Sequence, residues 1–258
     1  MKKVRLALLA ASIAACTVTH ATTRIEVLGE LPSPGAREIQ EGLRLGELLQ
    51  HERIDPQSYW LGASWQRQSL QQQQRRLKGG ILFDLIQVQR LASLQENTSL
   101  ASTAKRLSER VAELPVTGRQ LYRLDPLDVE LNAAHSPRLL GGDRLIFPAR
   151  PSTVRITGAV SMDCTLPFVP LQPAYRYAQD CPAQADADPD YLFVIQPDGK
   201  VTPLGVALWN REDNAEPPAP GAVLLVPLDA SQLKDNAPDL NRELADFLAT
   251  QPLPAESP

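Results

Sequence analysis

A mixed α+β fold is what the sequence predicts: two related small α/β modules, the first interrupted by a helical hairpin, with an amphipathic helix near the end. Three observations carry it. A strand-and-glycine unit occurs twice, Arg24–Leu31 and Val154–Val160, and each is closed by a glycine-led strand ending in proline, Gly141–Pro148 and Pro220–Pro227. Between the first pair, Ser64 to Glu113 contains no proline and is rich in Gln, Arg, Leu and Ala. Finally, Leu240, Leu244, Phe247 and Leu248 fall on one face at helical spacing.

The chain opens with a cationic segment, Met1-Lys2-Lys3-Val4-Arg5, and an uncharged apolar run from Leu6 to Ala15, the pattern of an export signal. The run is about half of the roughly 20 apolar residues a membrane span needs. Two processing routes fit. Thr19-His20-Ala21 has small residues placed for cleavage after Ala21, while Ile13-Ala14-Ala15-Cys16 resembles a lipobox that would lipidate Cys16. Both place the mature chain in the periplasm. Loss of residues 1–21 removes three cations and no carboxylate, taking the formal charge from −4 to −7. An acidic mature chain argues against nucleic acid as a partner, and against a membrane unless Cys16 is lipidated.

In the first module, predicted at residues 22–150, Arg24-Ile25-Glu26-Val27 alternates as a strand and Pro32-Ser33-Pro34-Gly35 turns the chain. Leu45, Leu48 and Leu49 mark a short helix that ends near Asp55-Pro56. The helical hairpin is expected over about 64–114. Leu77, Ile81, Leu85, Val88 and Ala92 form one apolar stripe, and Leu100, Ala104, Leu107, Val111 and Leu114 a second. Asn97-Thr98-Ser99 provides the turn and N-cap between them. Gly79-Gly80 marks a kink or a close crossing, and the run Gln71 to Arg76 reads as a solvated helix face. Gln120–Leu124 and Val129–Leu131 read as strands.

The second module, at 151–229, contains a strand at Tyr191–Ile195, a turn at Pro197-Asp198-Gly199-Lys200 and a return strand. Asp186, Asp188 and Asp190 lie in an Ala/Pro/Asp stretch that reads as a solvated linker. Cys164 and Cys181 predict one disulfide in an oxidising compartment, with two buried free thiols as the alternative. The amphipathic helix is expected at 235–250, packed on its own domain or docked into a partner, followed by a disordered tail at 251–258.

Motifs for chemistry are sparse. His51 and His135 lack ligand spacing, and no nucleophile elbow, zinc array or phosphate loop is present in the sequence. No metal or cofactor is expected.

The ordered series Val116-Thr117-Gly118-Arg119, Leu124-Asp125-Pro126, Val154–Val160, Val194–Gly199, Val206-Ala207-Leu208-Trp209-Asn210, Pro217-Pro218, Pro220-Gly221 and Leu240-Asn241 resembles the GfcC-type capsule biosynthesis family. The resemblance covers nearly the whole mature chain. It implies two β-grasp (ubiquitin-like) domains with the hairpin inserted in the first, a periplasmic location, and no enzymatic activity. Expected partners are polysaccharide or the polysaccharide-export proteins of the envelope. The Cys164/Cys181 pair and the lipobox-like Cys16 depart from the family pattern.

Arg119 and Asp125 are candidates for a binding patch, because a planar guanidinium can grip carboxylates or sugar hydroxyls in bidentate fashion. A structural salt bridge at a domain junction is the alternative. Trp209, beside Asn210 and Arg211, could stack on a sugar face or anchor a core. Two competing functions are an enzyme that modifies polysaccharide, which predicts a carboxylate pair in a deep cleft, and an envelope adaptor without glycan contact.

Overall fold

A computed structural model describes residues 22–52, 58–125, 129, 131 and 136–253. The signal segment, Cys16, His135 and residues 254–258 lie outside them.

The two predicted modules are two five-stranded mixed sheets of one topology. The first contains β1 (Thr22–Gly29), β2 (Gly35–Gln40), β3 (Ser64–Gln66), β4 (Arg119–Gln120) and β5 (Arg144–Phe147), ordered β2-β1-β5-β3-β4. The second contains β6 (Thr153–Gly158), β7 (Cys164–Pro167), β8 (Tyr191–Ile195), β9 (Val201–Gly205) and β10 (Val223–Val226), ordered β7-β6-β10-β8-β9. In each, the first and last strands are parallel neighbours at the centre and the remaining pairs are antiparallel.

The repeated glycine has one physical cause in both modules. Gly29 sits opposite Phe147, and Gly158 opposite Val226, with φ of 102° and 110°. A Cβ would lie 1.9 Å from the Phe147 carbonyl oxygen in the first case and 2.1 Å from that of Val226 in the second. Only glycine turns the chain there so that the next amide, Glu30 or Ala159, donates to that same carbonyl at 2.8 Å.

Short helices follow the hairpins. They are α1 (Leu45–His51) in the first module and α4 (Ala174–Gln179), which the sequence reading did not identify, in the second. The first core gathers Ile25, Val27, Leu45, Trp65, Leu145 and Phe147. Ser64 therefore opens a strand, not the helical hairpin: its neighbour Trp65 is wholly buried and the pair β3/β5 holds it. Val129 and Leu131, expected as strand, are helical.

The hairpin is α2 (Gln71–Leu94) and α3 (Thr98–Glu113). The Asn97 side chain accepts from the Leu100 amide at 3.1 Å, as a cap should. Lys78 Nζ donates to the carbonyls of Ala112 and Leu114, satisfying the open C-terminus of α3. Both predicted stripes face a core, with Leu77 and Leu114 at their ends only partly buried, yet not that of the module in which they are inserted. Ile81, Leu85, Val88, Leu100, Leu107 and Val111 share one core with Val154, Ile156, Val194 and Leu224 of the second module. Polar ties follow the same path. Arg106 donates to the carbonyls of Gly158 and Val160, and Asp186 accepts from Ser99 and Asn97. Asp186, only 4% exposed, thus belongs to a packed joint and not to a solvated linker.

The last helix, α6 (Leu240–Ala249), preceded by the short α5 (Ala230–Leu233), turns its apolar face into this core through Leu240, Leu244, Phe247 and Leu248. Asn241 bonds both backbone groups of Leu228, at 3.0 and 2.7 Å. Packing on its own chain uses the face that docking into a partner would need. α2 crosses α6 at the predicted glycines, where a Cβ on Gly80 would lie 3.8 Å from a Glu243 carboxylate oxygen. The tail also departs from expectation at its start. Gln251 donates to the Pro115 carbonyl, and Leu253 fills the space over Gly62 and Gly221.

Cys164 and Cys181 form a disulfide that ties the edge strand β7 to the end of α4. A Cys164→Ser/Cys181→Ser variant is expected to lose about 3 kcal/mol of stability by the loop-entropy argument, read as a lower urea midpoint with an equal or steeper slope, because the unfolded chain without the cross-link is less compact.

The α2/α6 crossing carries a second prediction. Burial and then Asp239 push the Asp84 carboxyl above its usual range; burial, then Asp84, Asp239 and Asp246, do the same to Glu243. A carboxyl whose folded pKa is raised holds its proton longer in the folded state, so stability falls as pH rises through and just above the ordinary carboxylate range. Asp84→Asn should flatten that fall and stabilise the protein at pH 7 by about 0.3 kcal/mol, small because both groups are partly solvated. Melting curves from pH 4 to 7 for both proteins check it.

Candidate functional site

Arg119 stands at the seam of the two modules, 4% exposed. Gly118 places it: at φ 73° this residue brings the chain against the Arg67 carbonyl, where a Cβ would sit at 2.3 Å. Gln74, buried within the run expected to be solvated, holds the turn by accepting from the Gly118 amide and donating to the Arg119 carbonyl. The guanidinium then donates to the carbonyls of Ala249, Gln251 and Pro197. Burial lowers its pKa to about 10, with Asp198 acting the other way, so at neutral pH the charge remains. Thr117 Oγ1 adds a bond to the Thr250 carbonyl at 2.8 Å. Asp125 pairs with Arg123 at 3.4 Å and not with Arg119. The junction predicted as an alternative is present, but its acceptors are backbone carbonyls instead of a carboxylate.

Trp209, Asn210 and Arg211 gather elsewhere. Trp209 is 71% exposed, its indole N–H donating to the Asp190 carboxylate at 3.0 Å. Asn210 donates to the Asp190 carbonyl, and the Arg211 guanidinium lies 4.4 Å over the Tyr175 ring. Asp190 precedes β8 and Pro197 follows it, so a five-residue strand, roughly 17 Å long, separates this aromatic tip from Arg119. Arg119 and the group of Trp209, Asn210 and Arg211 are two separate places, not one patch.

Between them in character is a cleft the sequence reading missed. It has a volume of about 690 Å³, walled by Gln66 and Arg144 of the first sheet, Arg67 and Gln68 just after β3, Gln71 of α2, and Arg155 of the second sheet, with Gln251–Leu253 as one border. A smaller cavity of about 300 Å³ beyond that border shares Arg155 and reaches Arg119. Arg67 is held by Asp143 at 3.2 Å and stacks 4.3 Å from the Trp65 ring; Arg144 pairs with Glu26, its partner across β1/β5, at 2.7 Å. The signal for Arg144 and Arg155 was the period of two: each precedes or splits core residues in its strand and so occupies the opposite sheet face. Among the described residues no three His, Cys, Asp or Glu converge as metal ligands, and no helix is long and apolar enough to cross a membrane.

Fold and site define a class: a two-module α+β protein with one topology used twice, locked around a seam arginine, with an Arg- and Gln-walled cleft beside the lock. The chain belongs to the capsule biosynthesis GfcC family, whose N-terminal part matches residues 22–149 and whose C-terminal part matches 163–252. It is also similar to "Uncharacterized protein YjbG" of Escherichia coli (strain K12), with 33% identity over 154 residues, 60% of this chain and 62% of that protein. The match spans less than two thirds of that relative's length.

Proposed function

We propose that the protein is a non-catalytic accessory factor of capsule or exopolysaccharide production that acts in the periplasm and binds glycan through the surfaces of two β-grasp modules. Family membership over both halves of the chain is the observation that carries this reading. The β-grasp assignment is supported by the strand order common to both sheets, in which an antiparallel hairpin flanks a parallel central pair. The described lining of the cleft contains guanidinium, amide and hydroxyl groups and neither carboxylate nor imidazole. Such a wall suits hydrogen bonding to a polar chain better than general acid and base work, which needs a proton donor and acceptor at the bond to be cut.

Deletion of the gene should reduce the amount or the attachment of surface polysaccharide, with recovery on complementation. Unchanged amount and attachment would falsify the reading. Intact mass of the mature protein tests the location and its form: an N-terminus at Thr22, or a lipidated Cys16.

The exposed tip at Leu208 and Trp209, 89% and 71% exposed, favours a second contact. An indole fixed through its N–H by Asp190 offers a rigid apolar face, suited to a sugar ring or to an apolar site on an envelope protein.

A further inference from the structure

Arg155 differs from the other cations of the cleft. Arg67 has Asp143 and Arg144 has Glu26, whereas the Arg155 guanidinium has no hydrogen bond or ion pair with any described residue. The carboxylate that acts on it, Asp163, is already engaged: it accepts from Thr157 Oγ1 at 2.8 Å and pairs with Arg110 at 3.5 Å. Arg155 therefore has a second cation near it and no acceptor. Its side chain is open to solvent at the cleft surface, while the protein mass around it and then Arg110 lower its pKa, with Asp163 opposing. An anion in the cleft would offset the neighbouring cation and give the guanidinium an acceptor.

The surroundings specify more than charge. Arg155 lines both the larger cleft and the smaller cavity, so it stands where a chain running from one to the other would pass. The side-chain amides of Gln66, Gln68 and Gln71 border the larger cleft and have no hydrogen bond to another described residue. Gln251 spends its N–H groups on Pro115 and Thr250, leaving its amide oxygen as an acceptor. One unpaired guanidinium among several amides matches a polymer that carries few carboxylates among many hydroxyls. A dense polyanion such as nucleic acid would meet too little charge here and a net acidic protein around it.

We infer that the cleft between the modules is a subsite for an acidic polysaccharide, with Arg155 taking the carboxylate of a uronic acid residue and Gln66, Gln68 and Gln71 taking neighbouring hydroxyls. This rests on the reading of the protein as a glycan binder and names the class of glycan.

The test uses the full mature chain and two probes of equal length, a hexagalacturonate and the neutral maltohexaose, titrated calorimetrically at low and moderate salt. Hexagalacturonate should bind saturably and at least tenfold more tightly than maltohexaose, and more weakly as salt rises. Arg155→Gln should weaken it roughly tenfold or more, the loss of one charge-assisted pair, while Arg155→Lys retains part of the affinity. Thermal melting of each variant checks that folding is intact, and Lys105→Gln, which removes an exposed cation of α3 outside the cleft lining, should leave this binding unchanged. Equal binding of both probes, or an Arg155→Gln protein that binds like the wild type, overturns the acidic subsite while leaving glycan binding in place. Binding of neither overturns the subsite and glycan binding in the cleft together, and the polysaccharide yield of the deletion strain then judges the accessory role alone.

Discussion

A fragment of residues 151–253 is expected to show no cooperative unfolding transition, although its strands make a complete five-stranded sheet. The reason is the ownership of its core. Ile81, Leu85, Val88, Leu100, Leu107 and Val111 belong to α2 and α3, which the chain inserts in the first module, yet they pack with Val154, Ile156, Val194 and Leu224. Full burial of such side chains is worth about 1.5–3 kcal/mol each, on the order of 10 kcal/mol together. Even halved for the contacts that α2 and α3 make with each other, the loss is roughly 5 kcal/mol, the scale of a whole domain's stability. The fragment would also expose Phe247 and Leu244 of α6, which lie against the same hairpin. Circular dichroism during a urea titration, with dye binding as a measure of exposed apolar surface, reads the outcome. Addition of a separately made fragment of residues 22–150 should restore a cooperative transition if the two parts reassociate. A sharp melt of the 151–253 fragment alone would show that the sheet is self-sufficient.

Features written in short stretches of chain were legible in the sequence. The duplicated strand, glycine and proline pattern reported a backbone requirement at Gly29 and Gly158 that no other residue meets, so composition alone exposed the repeat. The two apolar stripes and the Asn97 cap are likewise local, set by helical period and by an amide three residues on. What the stripes pack against is not local. Periodicity states that a face is buried and is silent on the partner, so the sequence places the hairpin as an insertion in the first module without saying which core it joins. The same holds for polar groups. Asp186 in an Ala/Pro/Asp stretch and Gln74 in a Gln run look solvated by composition, but their partners, Ser99 and Gly118, are supplied from far along the chain. Arg119 stood out through its motif; its role depended on carbonyls of residues 197, 249 and 251, which only the folded chain brings together.

Arg119→Met is expected to cost about 2–4 kcal/mol and to release the C-terminal segment. The substitution keeps much of the volume, so a cavity is not the main term. Removal of the charge by itself would be favourable, since burial already disfavours the guanidinium. The loss comes from three carbonyls, at Ala249, Gln251 and Pro197, that would be left in a dry seam without a donor. Each unsatisfied buried acceptor costs about 1–3 kcal/mol, partly recovered where water enters. Arg119→Lys should recover little of the loss, because one ammonium cannot reach three carbonyls spread over two segments as the guanidinium fork does. Urea denaturation measures the stability, and hydrogen exchange supplies the readout specific to the lock: faster exchange around residues 249–253 and the 196–200 turn, with β1 and β5 unchanged. The border of the cleft should loosen with it, because Gln251–Leu253 form that border and Leu253 is seated over Gly62 and Gly221. Weaker glycan binding in an Arg119 variant would therefore be accompanied by faster exchange of the tail. Loss of binding with the tail still protected would instead make Arg119 a direct contact for the ligand, reached through the smaller cavity.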